Sequence, residues 1–361
     1  MTDTLLNPPP RENSELVGQE AAERILVDAW TSGRVPHAWL FTGPRGIGKA
    51  TLAYRFASFV LANGGEGASL HDEKPQTLAL HQDDPVFRRI ASGGHPDLLT
   101  LQGGDIHPDT GRATEGIVVA QVRKAVGFMR LTPAMGGWRV AIVDAADSMN
   151  TNAANALLKC LEEPPKRVLF LLIGHAPGSL LPTIRSRCQQ LSLAPLDDVK
   201  VSELLKRYRP QSNEADRDLA LHLADGSIGE ALAITDAGGL DLYREFVRIV
   251  GTLPDLDISA VHTLGDRMAR GSATENFATF SRLVDRWLSE MIRSISTGRP
   301  RIESVVGEQA TIERLAHLAG LEEWLEVWDK VKQLLSRAEY ANLDRKQVVI
   351  GMFHTLANAA G

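Results

Sequence analysis

A parallel, doubly wound α/β fold in the first half of the chain, followed by helices alone, is predicted by three observations. Short apolar runs alternate with helical periodicity as far as Pro195. One run stops at a glycine cluster that opens directly into a helical pattern. Beyond Pro195-Leu196-Asp197-Asp198 the apolar runs vanish. Strands separated by helices need crossover connections, and these build a parallel sheet.

Glu20 to Trp30 spaces Ala22, Ile25, Leu26 and Ala29 as a helix with one buried face. His37 to Thr42 is a short apolar run that reads as a buried strand. Helical spacing resumes at Thr51 to Leu61 through Leu52, Phe56, Phe59 and Val60. Asn63 to Gly116 is irregular, a surface excursion with a strand expected at Asp97 to Leu101. Val118 to Arg130 reads as a helix, and Arg139 to Val143 and Arg167 to Ile173 as two more strands. Between those strands, Asn150 to Leu161 is a helix that Glu163-Pro164-Pro165 closes, because proline cannot extend it.

After Pro195 the segments Val199 to Tyr208, Asn213 to Asp225 and Glu230 to Asp236 read as helices, with Gly226-Ser227 as a turn. Long helical stretches fill the rest. The clearest stripe runs through Leu315, Leu318, Leu321, Leu325, Trp328, Val331 and Leu335; it suits an internal core or a contact with another chain equally. The expected domains are therefore 1–195, 196–239 and 240–361.

Composition excludes several classes. The 361 residues are 43% apolar and 23% charged, as in globular proteins rather than disordered or fibrous ones. A net charge of −6, from 39 basic and 45 acidic residues, gives no support for strong independent DNA binding. Cys160 and Cys188 cannot form a disulfide framework or a four-cysteine zinc site, and they suit a reducing cytosol. No apolar run approaches the length of a membrane span. The N-terminus is polar and proline-broken, unlike a secretion or transit signal, so a cytoplasmic location is expected.

Two motifs carry chemistry. Gly43-Pro44-Arg45-Gly46-Ile47-Gly48-Lys49 fits GxxxxGK between a strand and a helix. Its glycines let backbone N–H groups turn onto phosphate oxygens, and the lysine adds a point charge. A hydrolysing loop continues with Ser or Thr, whose hydroxyl helps to hold Mg²⁺; here that position is Ala50, and Thr51 points about 100° away. The second motif is the strand ending in Asp144, the carboxylate that supports the metal in such sites. Where many of these enzymes place a water-orienting Glu, this chain has Ala145. Lys49 thus suits weak nucleotide binding or no ligand at all. Farther on, Ser186-Arg187-Cys188 offers a planar, permanently charged fork suited to a γ-phosphate approached from outside, with Arg185 next to it.

Leu16-Val17-Gly18-Gln19, HAWLFTGPRGIGKA, MNTNAANALLKCLEEPP and SRC together resemble the AAA+ clamp-loader family of bacterial DNA polymerase III. The resemblance implies a RecA-like AAA+ domain, a small helical lid and a helical collar that joins a five-subunit ring. It also implies a subunit that does not hydrolyse ATP itself and donates Arg187 to the ATP site of an adjacent gamma/tau subunit. That ring, with a delta subunit, places the beta sliding clamp on primed DNA, which it touches through phosphates. Gly43, Gly46, Gly48, Lys49 and Asp144 would be a vestigial nucleotide site needing no cofactor beyond loosely held ATP or ADP. The family's motor subunits carry a four-cysteine zinc module after the phosphate-loop helix. Here that stretch has no cysteine, only histidines such as His71, His81 and His95, so no zinc and no other metal is expected. Motor subunits also carry an arginine in GSxRxAL, where this chain has Gly229, and a polar sensor where it has Gly174-His175. The rival reading, a self-sufficient AAA+ ATPase such as a motor subunit or a recombination ATPase, needs a hydroxyl at position 50 and Glu at 145. A nucleotide-gated switch is the third reading, marked by Mg²⁺-dependent affinity.

Overall fold

The computed structural model describes residues 7–65, 75–104, 116–269, 273–300, 303–340 and 343–361. Much of the irregular excursion, including His71, lies outside them. Contacts divide the chain into two compact units, Met1–Val201 with Gly226–Gly229, and Ser202–Asp225 with Glu230–Gly361. The three-way division expected from the sequence is finer and stays a proposal.

In the first unit the order is α1 (Glu20–Thr31), β1 (Ala38–Thr42), α2 (Lys49–Asn63), α3 (Pro85–Ala91), β2 (Leu98–Gln102), α4 (Val119–Met129), β3 (Arg139–Asp144), α5 (Thr151–Glu162), β4 (Val168–Gly174), α6 (Pro182–Arg185) and β5 (Gln189–Ser192). The strands form one parallel sheet in the order β2-β3-β4-β1-β5. All seven residues of β4 are buried, as a central strand covered on both faces requires. Each such side chain contributes roughly 1.5–3 kcal/mol by leaving water. One face carries α1 and α2 over Trp39, Phe41, Ile142 and Leu171; the other carries α4 and α5 over Leu40, Val143, Phe170 and Leu172. Alternate residues of each strand thus face opposite layers.

Three elements escape the sequence reading: β5, α3 and the four-residue α6. Strand β5 is QQLS with only Leu191 buried, because an edge strand has one neighbour and a wet outer side. Helix α3 is short, but Asp84 accepts from Val86 N–H (2.7 Å) and Pro85 occupies the first helical position. That Asp-Pro pair is a start signal legible in the sequence.

Asp97 and Arg139 form a buried ion pair at 3.4 Å, with side chains 1% and 7% exposed. Asp97 accepts from Ala134 N–H (2.7 Å) and Met135 N–H (2.8 Å). Arg139 donates to Leu131 C=O (2.9 Å) and Thr132 C=O (2.6 Å) and lies 4.4 Å over the Phe128 ring. One pair of charges therefore fixes both ends of the turn between α4 and β3.

The second unit is helical. It holds most of α7 (Asp198–Tyr208), α8 (Glu214–Ala224), most of α9 (Ile228–Asp236), α10 (Gly239–Val250), α11 (Ile258–Ala269), α12 (Ala273–Thr297), α13 (Glu308–Leu318), α14 (Leu321–Tyr340) and α15 (Arg345–Ala360). Phe246 centres its core, with Trp287, Phe353 and Phe280 at ring distances of 5.5, 5.8 and 6.0 Å. The expected continuous stripe is broken. Ala319 is extended, α14 starts afresh at Leu321, and its buried residues are Trp324, Val327, Val331, Leu335 and Ala338. Leu318 and Leu325 face outward. A two-residue break resets helical phase, which spacing alone conceals.

Candidate functional site

The phosphate loop runs from the end of β1 into α2. Gly43, Gly46 and Gly48 have φ of 137°, 76° and 102°, and a Cβ at Gly43 would lie 2.5 Å from the Leu193 carbonyl oxygen. Only glycine fits there. Five consecutive loop carbonyls accept hydrogen bonds from within the unit. Lys49 Nζ donates to Gly43 (2.7 Å) and Pro44, Ser227 Oγ to Arg45 (2.7 Å), Gly229 N–H to Gly46 (3.0 Å) and Gln19 Nε2 to Ile47 (3.1 Å). With these carbonyls engaged within the unit, the loop's N–H groups are the donors left for an anion, as in a phosphate cradle.

Gln19, Ser227 and Gly229 are residues whose contact with the loop the sequence did not reveal. Gly229 is more than the absence of an arginine: a Cβ there would stand 2.7 Å from Gly46 Cα. The segment Gly226–Gly229 lies backbone to backbone on the loop, with Leu196 N–H donating to Gly226 C=O at 2.8 Å.

Lys49 is 3% exposed. Burial, opposed by Asp144 and Asp147 and aided by Arg45, lowers its pKa to about 8. Asp144 ends β3 in the same row as Ile173 of β4 and Phe41 of β1, so β4 stands between it and the phosphate loop. Burial raises its pKa, against the pull of Lys49 and Arg45. Asp147 closes the gap: its Oδ2 accepts from His175 N–H (3.0 Å) and Ala176 N–H (2.8 Å), fixing the end of β4. Burial and the nearby Lys49 charge keep His175 below the ordinary histidine pKa. The structure thus gathers Gly43, Gly46, Gly48, Lys49 and Asp144 at the carboxyl ends of β1 and β3. Backbone N–H groups beside a lysine are a donor set of the kind that suits a phosphate. A tightly held magnesium ion does not fit, because Ala50 offers no oxygen where the loop would supply one.

Arg187 is elsewhere. It precedes β5, whose Gln189 pairs with Trp39 near the start of β1, while the phosphate loop follows the far end of β1. Five residues at about 3.3 Å each put roughly 15 Å of strand between those two ends. Arg187 Nη2 pairs with Glu162 Oε1 at 2.7 Å, and Nη1 donates to Thr183 C=O at 3.0 Å. Its side chain is 34% exposed. Cys188 is buried in the core beside it, and burial pushes its thiol up to about 12, so it packs rather than reacts. Glu162 ends α5, which links the LEEPP and SRC segments physically. Twenty-five residues of separation conceal that pairing in the sequence.

Among the described residues, no group of His, Cys, Asp and Glu could hold a metal ion, and no helix is long and apolar enough to cross a membrane.

Residues 18–197 match the family model described as DNA polymerase III, delta subunit. A DNA polymerase III subunit delta' from Pseudomonas aeruginosa is 38% identical over 192 residues, 53% of this chain and 53% of that protein. A subunit tau/gamma from Haemophilus influenzae is 32% identical over 231 residues, 63% of this chain and 31% of that protein. A gamma/tau subunit from Mycobacterium bovis is 29% identical over 283 residues, 76% of this chain and 46% of that protein. The chain therefore spans about half or less of the length of these curated relatives. With a five-stranded parallel sheet, a glycine-built phosphate loop and the match over residues 18–197, this chain belongs to the DNA polymerase III clamp-loader family as a member of the delta-prime type.

Proposed function

We propose that this chain is a non-hydrolysing subunit of a clamp-loader ring and donates Arg187 to the ATP site of an adjacent gamma/tau-type subunit. The observation that carries the reading is the placement of Arg187 at the opposite end of the sheet from the chain's own phosphate loop. An arginine there cannot serve that loop, yet it is partly exposed and held by an ion pair of a kind worth only about 0–1 kcal/mol. Glu162 and the Thr183 carbonyl orient the guanidinium, and a γ-phosphate replaces Glu162 as a stronger, bidentate partner. The partners are gamma/tau and delta subunits, with the beta sliding clamp and primed DNA met through the complex. The test is ATP turnover by the purified chain beside turnover by the ring assembled with gamma/tau- and delta-type subunits. Activity confined to the ring is the expected result, and a ring equally active without this chain would refute the proposal.

At its own loop the chain's N–H cradle and Lys49 bind ATP or ADP loosely and without Mg²⁺, after Lys49 leaves the Gly43 and Pro44 carbonyls. With its pKa near 8, Lys49 loses its charge as pH rises from 7 to 9. ADP affinity is expected to fall about tenfold over that range, the worth of one charge-assisted hydrogen bond. A Lys49→Met variant should bind weakly with a flat profile. Isothermal titration in buffers of matched ionic strength checks this; equal steepness in both proteins would remove Lys49 from the site. The same shift acts on folding with a defined sign. The unfolded lysine holds its proton up to its ordinary pKa of 10.5, so this group's contribution to stability rises between about pH 8 and 10.5.

A further inference from the structure

Among the described residues, strand β2 is an edge of the sheet and pairs only with β3. Val140 N–H donates to Asp97 C=O, and the period of two along a strand then turns the Thr100 N–H and C=O toward the open edge. Along that edge lies a cavity of about 420 Å³, lined also by Pro9, Pro10, Arg11 and Ile90. It shares no lining residue with the phosphate loop, although its Gln102 pairs with Asp144 of β3.

Two polar side chains flank the strand edge, His95 and Tyr54, and Arg11 adds a charge. His95 is 5% exposed, and its Nδ1 accepts from Asp97 N–H at 3.2 Å, which leaves the ring proton on Nε2 as a donor. Tyr54 Oη and Thr100 Oγ1 pair at 3.1 Å on the other flank. The one Arg, Lys, Asp or Glu in the cavity lining is basic. Arg11 lines the groove, its side chain 47% exposed and loosely paired to Glu12 at 3.3 Å, and the charge of Arg89 on α3 reaches His95. Among the carboxylates, Asp97 is consumed by Arg139 and two backbone amides, and Asp83 by Arg88.

We propose that the open edge of β2 is a docking groove for an extended, acidic peptide segment of a partner protein, which adds as a strand beside Thr100. An extended segment satisfies the outward Thr100 groups, a small apolar side chain sits over Leu98 and Ile90, and a carboxylate meets Arg11. Basic or folded partners satisfy only part of this chemistry.

A blocked peptide of alternating Glu and Val is the probe, added to the full chain and followed by titration calorimetry and amide hydrogen exchange. Binding is expected, with new protection at Thr100. Thr100→Pro removes the outward N–H together with the hydroxyl that meets Tyr54, and is tolerated on an edge strand, so the chain folds and binding is lost. Thr100→Val keeps the N–H, loses the hydroxyl and retains binding. Arg11→Ala weakens binding about tenfold, as loss of one ionic hydrogen-bond partner does. The proposal is overturned if the Glu-Val peptide does not bind, if a Lys-Val peptide binds as well, or if Thr100→Pro, shown folded by its melting curve, binds like the wild type.

Discussion

Replacing Arg187 with alanine is expected to slow hydrolysis at the neighbouring ATP site we propose it serves by about 10³–10⁵-fold, the range for arginine fingers supplied from outside a pocket. The fold should survive. Arg187 is partly exposed, its partner Glu162 is 47% exposed, and the neighbouring anchors Ile184 and Cys188 are untouched. Arg187→Lys is expected to recover little, since an ammonium lacks the planar fork that engages two phosphate oxygens. The measurement is DNA-stimulated ATPase and clamp loading by the reconstituted ring, with assembly checked by size. A second variant, Glu162→Gln, separates orientation from charge: it keeps the arginine and removes the ion pair, so its effect should be far smaller. Undiminished activity in an assembled Arg187→Ala ring would take the finger away from this residue.

The second large effect concerns stability. Asp97→Ala leaves the buried Arg139 cation without its carboxylate and two backbone amides, Ala134 and Met135, without their acceptor. Breaking a buried pair from one side costs about 3–5 kcal/mol. In a unit of this size, each kcal/mol lowers the melting temperature by roughly 2–4 °C. The double variant Asp97→Ala/Arg139→Met should recover part of the loss, because the stranded charge is gone and a methionine can lie on Phe128. Urea unfolding of the three proteins checks this. A loss below about 1 kcal/mol in the single variant would mean that the pair is well hydrated and not structural.

How far the sequence discloses the molecule depends on the range of each interaction. Strands β1, β3 and β4 are continuous apolar runs because both faces are covered, and the glycines and Lys49 sit next to one another in the chain, so loop and sheet are legible. Edge strand β5 is not, since one wet face leaves Gln189, Gln190 and Ser192 nothing apolar to show. Apart from those of Lys49, the carbonyl contacts of the loop come from Gln19, Ser227 and Gly229, with Ser227 182 residues from its partner Arg45. Gly229 was expected only as a missing arginine. Its close approach to Gly46 gives it a positive reason to be glycine. Arg187 was legible as a residue, whereas its separation from the phosphate loop needed the register of β5 on β1.

That separation makes ATP turnover by the purified chain alone, with Mg²⁺ and saturating ATP, the most direct measurement. With Ala50 and Ala145 in the loop and strand positions, and Arg187 at the wrong end of the sheet to help, turnover well below about 1 s⁻¹ is expected. A rate at or above that value, abolished by Lys49→Met, would show a self-sufficient ATPase and contradict the account.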